Sequence, residues 1–295
     1  MRPLTVGELY DRAVRHGGDR PALTQDGRSI TYADLGRDAL RLAAALQARG
    51  VVRHDRVAFL MANCIEYVAC EYATARIGAT RVPLATLLGS DDHVYMMNFA
   101  RCRVLFYHRK FAARVEQMLP RLESVELFIC VGSAEDDLVT GHLHLAALIA
   151  APVPTPVEVE VDPEDIAGIY FTGGTTGRPK GVLLSHRAWF HTYYAELLDF
   201  DLGWHEVFVI ATPMTHAAGC LLLPVLLRQG RCVLLERFDP GLLLETMAAE
   251  RATATLLVPT MIYLLLDHPG RDRHDLGSLR NVLYGAAAIA PERLE

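Results

Sequence analysis

The stretch "YFTGGTTGRPKGVLLSH", Tyr170 to His186, concentrates glycines, threonines, a proline and a lysine between two apolar runs. It includes the end of the apolar segment "AGIYF", which is typical of a buried strand. A loop at the carboxyl end of such a strand lies at the edge where open α/β sheets bind ligands. Glycines let backbone N–H groups converge, threonines add hydroxyl donors, and the lysine adds positive charge. The stretch predicts a phosphate-binding loop, with a purely structural glycine loop as the alternative.

The spacing of these glycines excludes two common nucleotide motifs. No glycine five residues after another is followed by Lys and then Ser or Thr, as a Walker loop requires, and GxGxxG does not occur in the stretch. The loop therefore supports neither a P-loop NTPase nor a Rossmann dehydrogenase.

Composition bounds the class of protein. The chain has 295 residues and 51% hydrophobic composition, enough for a large core. A net charge of -6 argues against a nucleic-acid surface and favours small-molecule chemistry. The scattered cysteines have no paired spacing and are expected to be reduced and mostly buried. The first residues lack the apolar core of a secretory signal, and the apolar run Ala217 to Leu227 is too short to span a bilayer, so the cytoplasm is the expected location.

Strand and helix patterns alternate along the chain and predict an α/β fold of mostly parallel sheets with crossover helices. Asp26-Gly27 predicts a hairpin turn, and a helix is predicted from about Tyr32 to Arg49. Asn63 and Glu66 have the spacing of a capping box at the start of another helix. In the second half, the predicted strands are 167–171, 207–211, 231–235, 252–258 and 281–284.

An acidic stretch with several prolines, Gly132 to Pro163, interrupts this alternation and is predicted to be an exposed connection. The predicted division is a first α/β subdomain over 1–150, a linker over 151–165, and a second α/β subdomain over 166–295 that holds the phosphate loop and ends incomplete. His142 and His144 in the connection have no further ligand at metal spacing, so they are predicted to be solvated.

Several stretches resemble, in order, the motifs of the adenylate-forming superfamily, which includes acyl-CoA synthetases, adenylation domains of peptide synthetases, and luciferases. "YFTGGTTGRPKGV" at 170–182 is similar to its signature loop. "TPMTHAAG" at 212–219 resembles its proline-rich motif, and "VPTMIYLLL" at 258–266 resembles the strand-helix corner that follows. "LRNVLYGAAAIAPE" at 279–292 resembles the strand and loop beside which adenine and the acyl group lie. The resemblance covers the whole chain and implies the stacked sheets of the family's large N-terminal domain.

The resemblance implies that a carboxylic acid attacks the α-phosphate of ATP to give an acyl-adenylate, whose acyl group then passes to coenzyme A. It implies that Lys180, otherwise a solvated loop lysine, acts on the phosphate charge as a catalytic residue, and that Mg²⁺ binds at Thr176. The other residues implied to hold phosphate are Thr172, Gly173, Gly174, Thr175 and Gly177. Because the commonest family loop has serine at the position of Gly173, weaker or retuned phosphate contact is expected.

His216 by itself would be interpreted as a buried structural histidine. Its position in "PMTHAAG" implies a catalytic residue between the carboxylate and the α-phosphate, where it donates a hydrogen bond or opens the acyl pocket. Gly285, Ala286 and Ala287 are implied to form a wall shared by adenine and the acyl chain, and a tight strand-helix turn is compatible with this. His186 is predicted to begin a helix. The residues that suggest an apolar pocket for fatty or aromatic acids are Tyr193, Tyr194, Met214 and Leu221.

In members of this family, further motifs follow the position that corresponds to Glu295. The resemblance implies a magnesium-binding glutamate, a ribose-binding aspartate, a hinge, and a small C-terminal domain with a catalytic lysine. The chain is therefore expected to be the N-terminal portion of a ligase, with the C-terminal domain absent and little turnover alone. The alternatives are a catalytically dead binding module, a half-enzyme that depends on a partner chain, and an adenylation domain that serves a carrier protein. A homodimer is left open.

Overall fold

The structure is a computed structural model that describes residues 2, 4–132, 139–152, 156–172 and 178–290. Contacts group the chain into two units. The first unit consists of Met1–Asp11, Asp34–Ala62 and Glu66–Thr192, and the second of Arg12–Ala33, Asn63–Ile65 and Tyr193–Glu295. The division in chain order, with a linker over 151–165, stays a prediction.

The strands and helices alternate along most of the chain. The strands are β1 (Pro21–Gln25), β2 (Arg28–Thr31), β3 (Arg56–Leu60), β4 (Thr80–Pro83), β5 (Cys102–His108), β6 (Leu127–Val131), β7 (Leu143–His144), β8 (Ile166–Thr172), β9 (Lys180–Ser185), β10 (Val207–Ile210), β11 (Arg231–Leu234), β12 (Ala254–Leu257) and β13 (Asn281–Tyr284). The α-helices are α1 (Val6–Gly17), α2 (Tyr32–Gln47), α3 (Ile65–Arg76), α4 (Ser90–Phe99), α5 (Ala112–Met118), α6 (Leu145–Ala150), α7 (His186–Asp199), α8 (Ala217–Leu227), α9 (Pro240–Ala249) and α10 (Pro259–Leu266). Short 3₁₀ turns lie at Arg109–Phe111, Leu119–Arg121 and Arg271–Arg273.

The first unit contains a sheet whose described strands follow the order β7-β6-β5-β3-β4-β8-β9. Neighbouring strands are parallel except β8 and β9, which form an antiparallel hairpin. Leu60 and Leu105 of the central strands are buried in one core with Met97 of α4 and Met118 of α5. The predicted fold of mostly parallel sheets with crossover helices is therefore confirmed. The assignment of Lys180 to a loop is wrong, because Lys180 begins strand β9.

The second unit contains a sheet with the strand order β13-β12-β10-β11-β1-β2. Its strands are parallel from β13 to β1, and β2 returns antiparallel to β1. The turn between β1 and β2 places Asp26 at φ 48° and Gly27 at φ 77°, so the predicted hairpin is confirmed. Helix α9 buries Leu243 and Met247 in a core that includes Val209 of β10.

The interpretation of 132–163 as an exposed connection is wrong for part of its length. It contains β7 and α6, and α6 buries Leu145 and Leu148. His142 is not solvated either: its ring stacks on Phe128 at 4.5 Å, and burial lowers its pKa. His144 is half-buried. A short run of apolar residues, "LHLAALIA", forms this packed segment, although acidic residues and prolines dominate the composition around it.

Two further expectations agree with the structure. His186 begins α7, where it is fully buried and its Nδ1 accepts a hydrogen bond from the Val6 N–H at 3.1 Å. The cysteines are buried, apart from the partly exposed Cys220. None of the helices in the described ranges is both long and apolar enough to cross a membrane.

Candidate functional site

The predicted phosphate loop lies in the first unit between β8 and β9. Thr172 ends β8, Lys180 begins β9, and the two residues are partners across the hairpin. The Thr172 hydroxyl donates to the Lys180 carbonyl at 3.5 Å, and both residues are exposed. Because β8 runs parallel to β4, the loop leaves the carboxyl edge of the parallel part of this sheet. The other predicted loop residues, which include the metal ligand Thr176, lie outside the described residues: Gly173, Gly174, Thr175, Thr176 and Gly177.

Both ends of this loop contact the same helix, α4. Before the loop, Phe171 packs edge-on against Phe99, with ring centroids 6.2 Å apart. After the loop, the Arg178 guanidinium lies 5.1 Å from the centroid of the Tyr95 ring, within the range of a cation–π contact. Tyr95 and Phe99 also contact each other at 5.6 Å. Helix α4 therefore supports Phe171 and Arg178, the residues on either side of 172–177.

His216 lies in the second unit, where it is the N-cap residue of α8 after strand β10. Its Nδ1 shares a hydrogen bond of 2.8 Å with the Thr215 hydroxyl. Its main-chain N–H donates to the Pro213 carbonyl at 3.1 Å, and this hydrogen bond closes a tight turn. Partial burial lowers the pKa of His216, although the residue as a whole is exposed. The prediction of a buried structural histidine from the residue type alone does not match this exposure, and a neutral, oriented imidazole is the state that the contacts favour.

The segment Gly285–Ala287 follows β13 at the same edge of the second unit's sheet. Strand β12 pairs in parallel with both β10 and β13, so the segments after β10 and β13 leave the sheet in the same direction. Ala286 has φ 67°, a conformation that alanine seldom adopts and that costs about 1–3 kcal/mol. A Cβ built on Gly285 would have no atom within 4 Å, so space is open beside it. His216 and this segment therefore lie at the same edge of the sheet, the one where its parallel strands end. The strained residue Ala286 lies at that edge as well.

Asn63 contacts this edge too, and sequence reasoning assigned it only to a capping box. Its side chain is buried and bonds to the main chain of Thr212, Met214 and Leu235. The available signal was a polar residue directly after the apolar strand β3. Sequence spacing carries no information on partners about 150 residues away, so the tertiary role was missed.

The residues that suggested an apolar acid pocket are mostly in the core. Tyr193, Met214 and Leu221 are all buried, whereas Tyr194 is exposed. Glu196, the carboxylate nearest to them in the sequence, is partly buried, and this burial raises its pKa to about 7. Only Tyr194 of the four is available to solvent in this conformation.

Comparison with known proteins assigns the family. The profile described as "AMP-binding enzyme" matches residues 9–295. The chain belongs to the AMP-binding enzyme family. The resemblance noted in the loop and in the ordered motifs is thereby confirmed.

Several relatives of this AMP-binding chain have descriptive names. A medium/long-chain fatty-acid–CoA ligase from Mycobacterium tuberculosis is 31% identical over 295 residues, which cover 99% of this chain and 52% of the relative. A feruloyl-CoA synthase from an Amycolatopsis species is 32% identical, over 98% of this chain and 56% of the relative. The structure of an anthranilate CoA ligase in complex with anthranoyl-AMP superposes with a TM-score of 0.90 at 24% identity, over 97% of this chain and 56% of that one.

These relatives are acyl- and aryl-CoA ligases, and the structural match shows that this AMP-binding chain has the fold of their N-terminal part. The chain spans about half the length of the curated relatives it matches. In the described ranges no three His, Cys, Asp or Glu side chains form a cluster that could hold a metal ion.

Proposed function

We propose that the protein to which this chain belongs uses ATP to activate a fatty or aromatic carboxylic acid as an acyl-adenylate and then transfers the acyl group to coenzyme A. The observation that carries the proposal is the β8–β9 hairpin, which pairs Thr172 with Lys180 at the base of a glycine- and threonine-rich loop. The family match and the names of the relatives support the same chemistry.

In the adenylation step, a carboxylate oxygen bonds to the α-phosphorus of ATP while the bond to the pyrophosphate oxygen breaks. Negative charge grows on the leaving pyrophosphate. The Lys180 ammonium and the Thr172 hydroxyl are exposed at the loop's base, so both can face this charge without losing a buried partner. Preorganised donors at such a position typically contribute about 10²- to 10³-fold in rate each. Mg²⁺ bound at Thr176 would supply further neutralisation of phosphate charge.

His216 would act at the acid end of the same reaction. The Thr215 hydroxyl can donate to Nδ1, which leaves the proton on Nε2 and makes that nitrogen the hydrogen-bond donor. The lowered pKa keeps the ring neutral near pH 7, so it can donate to a carboxylate or phosphate oxygen without adding a net charge.

The edge of the second unit also fits a bound polar group. The Thr212 side chain is buried, and its hydroxyl has no hydrogen-bond partner among the residues that the structure describes. A buried hydroxyl without a partner is unfavourable, so a ligand oxygen at this edge would satisfy it. Gly285, Ala286 and Ala287 would leave room beside it for a flat or elongated group.

The central test is acid-dependent exchange of pyrophosphate into ATP by the natural protein, with a panel of fatty and aromatic acids. The chain has two lysines, Lys110 and Lys180, which provide a matched pair of variants. Lys180→Ala should lower kcat/KM for ATP by about 10²- to 10³-fold. Lys110→Ala should change it by less than about twofold, because Lys110 contacts the Phe111 ring on the 3₁₀ turn after β5, and strands β3 and β4 lie between β5 and β8 in the sheet. Equal effects of the two substitutions, or none, would contradict the role of Lys180.

The acceptor and the assembly need separate measurements. Thioester formation with coenzyme A, compared with formation on a carrier protein, decides the acceptor, and we propose coenzyme A because the curated relatives above are CoA ligases. A homodimer stays a prediction that sedimentation of the natural protein tests.

A further inference from the structure

The side chain of Asn63 uses its full amide geometry on buried main-chain groups of the second unit. Its Nδ2 donates to the carbonyls of Thr212 at 2.9 Å and Leu235 at 3.0 Å. Its Oδ1 accepts from the Met214 N–H at 2.8 Å. Both N–H donors and the carbonyl acceptor are thus engaged, and the residue is only 4% exposed. A side-chain amide held in this way is a rigid brace between chain segments.

The braced groups lie at the carboxyl ends of neighbouring parallel strands. Thr212 follows β10, and Leu235 follows β11, which pairs with β10. Gln25 ends β1, the next strand in the sheet. Its Nε2 donates to the Asn63 carbonyl, and its Oε1 accepts from the Ile65 N–H, both at 3.2 Å. Gln25 therefore holds the main chain at Asn63, and the Asn63 side chain in turn holds the segment after β10.

That segment leads directly to His216. Met214, whose N–H donates to Asn63 Oδ1, is two residues before His216. The main-chain N–H of His216 donates to the Pro213 carbonyl. Without the amide, the two carbonyls and the Met214 N–H would lose their partner in a buried place, which favours rearrangement of the main chain. We infer that Asn63 is a positioning residue that holds residues 212–216 and thereby sets the place of His216 for the acid step. The last part of this inference rests on the proposed function.

Hydrogen exchange of the natural protein tests the brace without any need for activity. The matched control is Asn98, whose Nδ2 donates to the Arg121 carbonyl at 2.9 Å and whose Oδ1 accepts from the Glu123 N–H at 3.1 Å in the first unit. Asn63→Ala should speed exchange of a peptide covering 212–219 by at least about tenfold, and Asn98→Ala should leave this peptide unchanged. Unchanged exchange in Asn63→Ala would overturn the inference. If Asn63→Ala does not fold, Asn63→Ser, which keeps a hydroxyl but cannot span the three groups, serves with the same expected result.

Steady-state kinetics on the same variants test the consequence for the reaction. Asn63→Ala should lower kcat/KM for the acid by at least about tenfold, with KM for ATP little changed. Faster exchange of 212–219 with unchanged kcat/KM for the acid would overturn the positioning role. A wild-type protein that activates none of the acids would refute the proposed function instead, and the hydrogen-exchange comparison would still decide whether Asn63 holds the segment.

Discussion

Gly219, the third residue of α8, lies against the main chain that precedes His216. A Cβ built on Gly219 would be 2.0 Å from the Met214 carbonyl oxygen and 3.0 Å from its carbon. Real contacts of this kind are essentially never below 3.0 Å, so about 1 Å of main-chain movement is needed to accept a methyl group. The obstacle is backbone, and Asn63 holds the Met214 N–H in place. Gly219→Ala therefore forces a shift of the His216 segment.

Two opposing free energies decide the sign of this substitution. Alanine in a helix interior is favoured over glycine by about 1 kcal/mol. Overpacking against a fixed neighbour costs about 1–3 kcal/mol and occasionally more. We expect Gly219→Ala to lower the free energy of unfolding by up to about 2 kcal/mol. Through a shift near 1 Å, it should also lower kcat/KM for the acid by about 10- to 100-fold.

Urea unfolding with a matched control checks this prediction. Gly241 lies in the first turn of α9, and a Cβ there would make only ordinary contacts, the nearest at 3.4 Å from the His268 ring. Gly241→Ala should leave stability unchanged or raise it by up to about 1 kcal/mol. If Gly219→Ala were as stable as Gly241→Ala and kept the wild-type kcat/KM, the close approach of Gly219 to Met214 would not exist in solution.

Substitutions at three further residues test local features by unfolding free energies. Burial lowers the pKa of His186 from 6.5 to about 4, so stability is lost as the pH falls between these values, by at most about 3 kcal/mol, and His186→Asn should flatten this dependence. Burial raises the pKa of Glu196 from 4.5 to about 7, so stability is lost as the pH rises through this range, and Glu196→Gln should be more stable than wild type at pH 8, by at most about 3 kcal/mol, but not at pH 4. Asp239 accepts from the Leu242 N–H at the start of α9, so Asp239→Ala should cost about 0.5–2 kcal/mol, whereas Asp239→Ser should stay close to wild type. A pH-independent difference in the first two cases, or equal stability of the two Asp239 variants, would contradict these assignments.

Local signals predicted the elements of the fold well. The turn at Asp26-Gly27 follows from residues that tolerate positive φ. The helix predicted over 32–49 is observed over Tyr32–Gln47. These predictions succeeded because the energy that decides them is contained within a few residues.

Pairing between distant strands could not be predicted in the same way. Strand β1 pairs with β11 through Leu23 and Cys232, and β8 joins β4 through Arg81 and Gly168. No periodicity within either strand specifies such a partner, because pairing depends on the complete sheet. The interpretation of Asn63 as a helix cap missed its tertiary contacts for the same reason, because the carbonyls that it binds belong to residues about 150 or more positions later in the sequence. The family resemblance supplied the site residues that local patterns alone left open.

The most direct measurement of the proposed chemistry follows the oxygen of the acid. The natural protein is incubated with ATP, coenzyme A and a carboxylic acid labelled with ¹⁸O at both carboxylate oxygens. The masses of the AMP, pyrophosphate and acyl-CoA formed are then measured by mass spectrometry. If the carboxylate attacks the α-phosphorus, one labelled oxygen stays on phosphorus when coenzyme A takes the acyl group. The account predicts AMP that carries one ¹⁸O, together with unlabelled pyrophosphate. Formation of ADP with labelled phosphate, or acyl-CoA without label in AMP, would contradict it.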